Sequence, residues 1–147
     1  MNFERFTQKS LQGVQGAQTL AQNYGNSEMK PLHLHKVLLE DPEGLIPKIL
    51  TYMNISADAV LTDLISALDR LPKQKGGSVY PSADFQKVLQ DAEKIANDFK
   101  DDYVSVEHLY LALMDADDKS IFKKYGIDKD GFLKALKKIR GNQHVTT

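Results

Sequence analysis

VEHLYLAL, residues 106–113, is a diverged second copy of PLHLHKVL, residues 31–38, displaced by 75 positions. The same displacement superposes identical residues elsewhere: Gln15, Ala17, Ala21, His33, Leu34 and Leu38 fall on Gln90, Ala92, Ala96, His108, Leu109 and Leu113. Beyond the loop at Asp41–Gly44 the displacement drops to 72, and Ile49, Ile55, Asp58, Leu61 and Leu64 meet Ile121, Ile127, Asp130, Leu133 and Leu136. Because a fixed period indicates repeated structural units, the sequence predicts one duplicated unit.

Apolar residues in each copy recur three or four positions apart, as they do on one face of a helix. They are Leu11, Val14, Ala17, Ala21 and Tyr24 in the first copy, and Phe85, Val88, Ala92, Ile95 and Phe99 in the second. Neither copy shows the sustained alternation that is typical of a strand. The pattern therefore predicts an all-α fold, in which two tandem four-helix repeats pack as a pseudo-twofold bundle.

Residues that start and end helices stand at matching places in the two copies. Thr7 and Ser82, which are 75 positions apart, are expected N-caps. Gly25 is expected to end the first helix in the left-handed conformation, and Pro31 fits the first turn of the second helix. The same reasoning predicts N-caps at Ser105, Ser56 and Asp128 and helix ends at Asn54 and Gly126. The fourth helices are predicted at about 57–71 and 129–140.

One domain is predicted over residues 1–147. Repeat one covers about 1–71, a linker about 72–81, repeat two about 82–140, and a tail 141–147. The linker carries Gly76 and Gly77 between Pro72 and Pro81, a composition that indicates a surface loop. The helical pattern stops after Arg140, so the tail is interpreted as an end or the start of a further linker.

Composition excludes several classes of function. Nineteen basic and twenty acidic residues give a formal net charge of −1, whereas a dedicated nucleic-acid binder needs an excess of positive charge. The chain has no cysteine, which rules out disulfides and thiolate metal sites. No apolar run resembles a signal peptide or a membrane span. We expect a soluble, cytoplasmic protein with neither nucleic-acid nor membrane partners.

Motifs for catalysis and metal binding are missing from the sequence. His33 and His108 occupy the same place in the two copies, which favours a structural role. The acidic stretch at 115–118 lacks the glycine and terminal glutamate of a calcium loop. There is no phosphate-binding G-x-x-x-x-G-K-[ST] and no G-x-S-x-G nucleophile elbow. We therefore expect no metal, no cofactor and no catalytic activity in this chain.

Here the residues resemble a known family. AQTLA (17–21) followed by LHL (32–34), and AEKIA (92–96) followed by VEHLYLAL (106–113), resemble the double Clp N-terminal motif of the AAA+ unfoldases. The opening MNFERFT (1–7), the Leu-Pro at 71–72 and IRGNQ (139–143) are similar to the ClpB type. The resemblance covers essentially the whole chain.

The resemblance implies the N-terminal domain of a ClpB-type disaggregase, with ATPase modules, which bind ATP and Mg²⁺, following Thr147. The parent protein would be a hexamer that threads substrates through its pore and works with the DnaK chaperone system. The isolated domain is expected to be a monomer.

Three polar positions carry functional weight in domains of this kind, and the resemblance places them at Thr7, Asp101 and Glu107. Each also has a structural alternative: an N-cap, a turn residue, and an anion in the first turn of a helix. Relatives that recognise phosphoarginine carry glutamate before the His-Leu element in both repeats. Here the first copy has Leu32 instead, which favours the ClpB type.

The family binds substrates in an apolar groove, which the resemblance places around Leu89, Ile95, Tyr103 and Tyr110. The same helical spacing also fits core residues. The predicted function is the capture of exposed apolar segments of misfolded or aggregated polypeptides for delivery to the ATPase pore. Two alternatives stay open at this point: a docking domain for an adaptor protein, and a small helical hydrolase that uses an acid–base pair.

Overall fold

The computed structural model describes residues 2–74, 76–116 and 118–141, and eight α-helices account for most of them. The prediction of an all-α fold is confirmed. The first four helices are α1 (Gln8–Asn23), α2 (Pro31–Glu40), α3 (Leu45–Tyr52) and α4 (Ala57–Asp69). The second four are α5 (Ala83–Asp98), α6 (Val106–Leu113), α7 (Ser120–Tyr125) and α8 (Lys129–Arg140). The predicted tail from residue 142 onward lies outside the described residues.

The helices begin at the predicted N-caps. Thr7 Oγ1 accepts the Ser10 N–H at 3.1 Å, and Ser82 Oγ accepts the Phe85 N–H at 3.0 Å. Ser56 and Asp128 cap α4 and α8 in the same way. The predicted end of α4 at residue 71 was two residues too late, because the helix closes on its C-cap, Arg70.

The prediction that Ser105 caps α6 is corrected in part. Ser105 holds the N-cap position of α6, as predicted, but its hydroxyl has no hydrogen-bond partner among the described residues. Instead, its backbone N–H donates to Nδ1 of His108 at 2.9 Å. The imidazole therefore secures the start of α6.

Left-handed residues end helices at matching places in the two repeats. Asn54 (φ 61°) follows α3 and Gly126 (φ 66°) follows α7, as predicted. Gly25 (φ 71°) follows α1, and its counterpart after α5 is Lys100 (φ 61°). This conformation is strained for a residue with a Cβ. Because Lys100 nevertheless adopts it, the second repeat requires the same turn after its first helix as the first repeat does.

Two short parallel pairings, which the sequence did not predict, join the repeats. Strand β1 (Glu28–Met29) pairs with β2 (Tyr80–Pro81), and Phe6 bridges to Val104. The supporting hydrogen bonds are equivalent: Thr7 N–H donates to Val104 O at 2.9 Å, and Ser82 N–H to Met29 O at 3.0 Å. Each repeat's entry into its first helix is thus fastened to the other repeat.

The core lies where α2 and α6 meet, with α1, α3, α4, α5 and α8 packed around them. Its centre contains one pair of equivalent residues, since His35 and Tyr110 are 75 positions apart. Their side chains are joined by a hydrogen bond of 2.7 Å between His35 Nε2 and the Tyr110 hydroxyl. Phe122 stacks on the His35 ring at 4.7 Å between centroids. Such a contact between equivalent positions agrees with the predicted twofold relation of the repeats.

Candidate functional site: a groove beside the first helix cap

An open groove runs between the N-terminal segment, residues 2–6, and the outer face of α5. It encloses about 460 Å³ and is lined by Asn2, Phe3, Phe6, Gln86, Leu89, Gln90, Glu93, Lys94 and Asn97. Phe3, Phe6 and Leu89 supply the apolar lining; Phe3 is half-buried, whereas Phe6 and Leu89 are only 8% and 5% exposed. The two rings meet edge to face at 5.0 Å. The other residues form a polar rim that carries one charge of each sign. We call this feature the N-terminal groove.

The wall of the N-terminal groove is held by the loop between α5 and α6. Val104 N–H donates to Arg5 O at 2.7 Å, beside the bridge to Phe6. The Arg5 guanidinium donates to the carbonyls of Asp101 (3.4 Å) and Asp102 (3.2 Å). Because these bonds tie one short segment to one loop, the position of the aromatic wall depends on that loop.

A buried ionic cluster anchors the same loop. Asp101 is 3% exposed, and its carboxylate accepts from His108 Nε2 at 2.7 Å and from the Arg140 guanidinium. Arg140 also pairs with Glu107, at 3.6 Å between Nη1 and Oε2. The guanidinium lies over the Phe99 ring, 5.9 Å from its centroid. Arg140, in the last turn of α8, is thereby joined to both ends of the α5–α6 connection.

His108 is neutral in this cluster. Its Nδ1 accepts the Ser105 N–H, so its only ring proton is on Nε2, which donates to Asp101. Burial lowers its pKa, against the neighbouring carboxylates of Glu107 and Asp101, which raise it. Although Asp101, His108 and Ser105 are the residue types of a hydrolytic triad, the ring nitrogen that would activate the hydroxyl is bonded to backbone. The geometry does not form a nucleophile–base pair.

Repeat one contains the neutral counterpart of this arrangement. His33 Nδ1 accepts the Lys30 N–H at 2.9 Å, and its Nε2 lies 2.9 Å from Asn26 Oδ1. Burial lowers the pKa of His33 to about 4. Since the same ring orientation occurs here without a serine or a carboxylate, the histidines serve the architecture of the loop, as the sequence predicted.

The predicted site residues fall into three groups. Leu89 lines the N-terminal groove. Asp101 belongs to the loop that supports the groove wall, Thr7 and Glu107 lie beside that loop, and none of the three lines the groove. Ile95 packs half-buried against the core, and Tyr103 is half-buried in the loop itself.

The expected grouping of Leu89 with Ile95, Tyr103 and Tyr110 in one open groove is corrected by the position of α6. That helix is central, so Tyr110 is 0% exposed and hydrogen-bonded to His35. Burial raises the pKa of Tyr110. A side chain enclosed in this way cannot contact a client without opening the core.

Sequence reasoning missed Phe3 and Phe6. Two aromatic side chains three residues apart, just before an N-cap, are an available signal, because they lie too early to belong to the stripe of α1. Their counterparts before α5 are Ser78 and Pro81, so the repeat comparison gave no match. The groove consequently belongs to one end of the bundle.

A second hollow, of about 500 Å³, lies where the α3–α4 and α7–α8 turns meet. Its lining includes Tyr52, Ile55, Tyr125, Asp128 and Lys134. We call it the elbow hollow. Within the described ranges, no three His, Asp or Glu side chains are placed to share a metal ion. None of the helices in those same ranges is long and apolar enough to span a bilayer.

The eight helices of the described residues, with equivalent caps and turns in the two halves, define a helical two-repeat domain. A family model described as the Clp repeat (R) N-terminal domain matches residues 5–126. The chaperone protein ClpB of Clostridium tetani is 39% identical across all of this chain, and that of Clostridium perfringens 36% across 99% of it. The chain belongs to the Clp repeat N-terminal domain family. It spans 18% of the length of either ClpB relative.

Solved structures share the fold. The N-terminal domain of Hsp104 from Candida albicans superposes with a TM-score of 0.88 at 26% identity, over 98% of this chain and 97% of that one. A ClpV N-domain in complex with a VipB peptide superposes with a TM-score of 0.77 at 17% identity, over 96% and 90% of the two chains.

Proposed function

We propose that this chain is the client-binding domain of a ClpB-type disaggregase, and that it captures exposed apolar segments of misfolded or aggregated polypeptides in the N-terminal groove. The observation that carries the proposal is the open groove itself, whose apolar lining is the half-buried Phe3 above the largely buried Phe6 and Leu89. It is supported by the ClpB relatives and by the peptide complex of the ClpV N-domain, which has the same fold.

The size of the groove and its polar rim suit clients of varied sequence. Its volume lies within the range of roughly 300–1,000 Å³ that is usual for ligand sites. Gln86, Gln90 and Asn97 on the rim can donate or accept hydrogen bonds, while Glu93 and Lys94 offer one charge of each sign. Such a rim recognises no single sequence. Affinity is weak, because an unfolded client loses conformational entropy when it docks.

In this proposal the chain itself needs no cofactor and performs no catalysis. ATP and Mg²⁺ belong to the ATPase modules of the parent, a cytoplasmic hexamer that receives the client and works with the DnaK system. The isolated 147-residue chain is a monomer.

The test is a fluorescence titration of the chain with a permanently unfolded protein, such as reduced, carboxymethylated α-lactalbumin, and with the same protein in its native state. Phe3→Ser should weaken binding of the unfolded form roughly fivefold or more, as expected for an aromatic anchor. Native protein should not bind.

The matched control is Tyr80→Ser, which removes an exposed aromatic ring from the segment before α5 and should leave binding unchanged. Full binding by Phe3→Ser would overturn the proposal. Docking of an adaptor is the second candidate, and the elbow hollow favours it because Tyr52 is 55% exposed there. Loss of binding in Tyr52→Ser alone would move the site to that hollow.

A further inference from the structure

The two repeats place different chemistry at three equivalent positions, around the α1–α2 loop in repeat one and around the α5–α6 loop in repeat two. Repeat one has an amide and two leucines, whereas repeat two has two carboxylates and a guanidinium. The equivalent pairs are Asn26 and Asp101, Leu32 and Glu107, and Leu68 and Arg140. Leu68 is fully buried, so its position is an interior one in repeat one.

Both sets hold their loops in the same geometry. Asn26 N–H donates to Ala21 O at 2.9 Å, and Asp101 N–H donates to Ala96 O at 2.9 Å. The rings of His33 and His108 receive the same backbone bond at the start of the next helix. The three residues of repeat one are uncharged and still hold their loop in this geometry. The role common to both sets of residues is therefore to position a loop, and it does not require charge.

In repeat two, the loop that is held in this way is the α5–α6 loop, which supports the wall of the N-terminal groove. Arg140 binds the Asp101 carboxylate, and the Asp101 carbonyl accepts from Arg5. Arg5 lies between Phe3 and Phe6, which form the groove wall. A continuous set of contacts therefore leads from the last turn of α8 to the client site.

The carboxylates themselves are poorly placed to meet a client. Glu107 is 4% exposed and already faces Arg140, and Asp101 is bonded to both Arg140 and His108. A client cation could reach them only by displacing that guanidinium and losing its own hydration.

We infer that Arg140 is a positioning residue for client binding, and that Asp101 and Glu107 act on the N-terminal groove through it rather than by touching the client. This inference rests on the proposed function. Loss of any one member removes a partner from the buried charges that remain and loosens the loop. Replacement of all three by the set of repeat one should restore the loop.

The experiment is the same titration with Glu107→Gln, Arg140→Gln, Arg140→Lys and the triple variant D101N/E107L/R140L. Each glutamine variant should weaken binding roughly three- to tenfold, as expected for coupling through packed contacts. Arg140→Lys keeps the cation and should bind more tightly than Arg140→Gln. The triple variant should bind within about twofold of the parent chain.

Direct contact between the carboxylates and clients predicts the opposite pattern. Arg140→Gln would then expose both carboxylates to lysine side chains of the same unfolded client and tighten its binding, while the triple variant would bind as poorly as Glu107→Gln or worse. That result would overturn the inference. Amide spectra show whether each variant is folded. If the triple variant does not fold, Arg140→Gln alone distinguishes the two interpretations: weaker binding supports positioning, and tighter binding supports direct contact.

Lys138→Gln is the matched control, because Lys138 is an exposed cation in the same last turn of α8. It should change nothing. If Phe3→Ser fails to weaken binding, the proposed function is wrong. If Phe3→Ser weakens binding and Arg140→Gln does not, only the positioning role is wrong.

Discussion

The segments that enter α1 and α5 have the same backbone arrangement and different side chains. Each pairs in parallel with the other repeat through an equivalent hydrogen bond, from Thr7 to Val104 and from Ser82 to Met29. Only the first carries Phe3 and Phe6, and with them the N-terminal groove. The two repeats therefore share one backbone arrangement, and the side chains of a single entry segment create the N-terminal groove at one end of it.

A second contrast concerns the loops at Asn26 and Asp101, and the largest predicted effect would test it. Asp101→Ala removes the buried carboxylate that both the Arg140 guanidinium and the His108 N–H bind, so we expect a loss of about 3–5 kcal/mol in the free energy of unfolding. Asn26→Ala removes two neutral hydrogen bonds, to His33 Nε2 and to the Pro72 carbonyl, and should cost about 1–3 kcal/mol. Urea unfolding of both variants measures the difference, and equal losses would show that the charges add nothing.

Much of this scaffold could be predicted from the sequence. The caps at Thr7 and Ser82 and the turns at Gly25, Asn54 and Gly126 follow from local backbone preferences, which a few neighbouring residues express. The parallel pairings between repeats could not be predicted, because they join residues far apart in the chain and leave no alternation in strands of two residues.

The candidate site was less accessible to sequence reasoning. Leu89 lines the groove at only 5% exposure, and the same helical spacing fits Tyr110. Only the central position of α6 shows that Tyr110 is fully enclosed. Arg140 pairs with Asp101 across 39 positions, a separation at which sequence carries no contact signal. Whether the predicted residues bind clients stays a prediction.

The next effect concerns His35 and Tyr110, the equivalent positions whose side chains are hydrogen-bonded to each other in the core. Burial lowers the pKa of His35 to about 3, below its usual 6.5, so the folded chain holds it neutral. The unfolded chain takes up a proton as pH falls below about 6.5, and stability therefore decreases on acidification. By pH 5 this histidine should account for a loss of roughly 2 kcal/mol.

Urea unfolding at pH 7 and pH 5 tests this expectation. The double variant H35F/Y110F removes both polar groups of the pair, so its stability should fall less between the two pH values than that of the parent chain. An unchanged pH dependence in the variant would mean that His35 is not held neutral in the folded state.

The smallest predicted effects compare the helix caps. Thr7→Ala and Ser82→Ala each remove a side-chain acceptor from the first turn of a helix and should cost about 1 kcal/mol. Ser105→Ala removes a hydroxyl that has no partner among the described residues, and should be close to neutral. Thermal unfolding of the three variants measures the contrast. A loss at Ser105 equal to that at Ser82 would assign the cap of α6 to the hydroxyl instead of the His108 ring.

We propose that unfolded polypeptide binds at the end of the bundle that carries the N-terminal groove. An amide chemical-shift map of the chain, titrated with reduced, carboxymethylated α-lactalbumin, tests it most directly. We expect the largest shifts at Phe3, Phe6 and along residues 86–97 of α5, with smaller ones in the loop at 101–104. Shifts confined to the elbow hollow around Tyr52 and Lys134, or none at saturating client, would contradict the account.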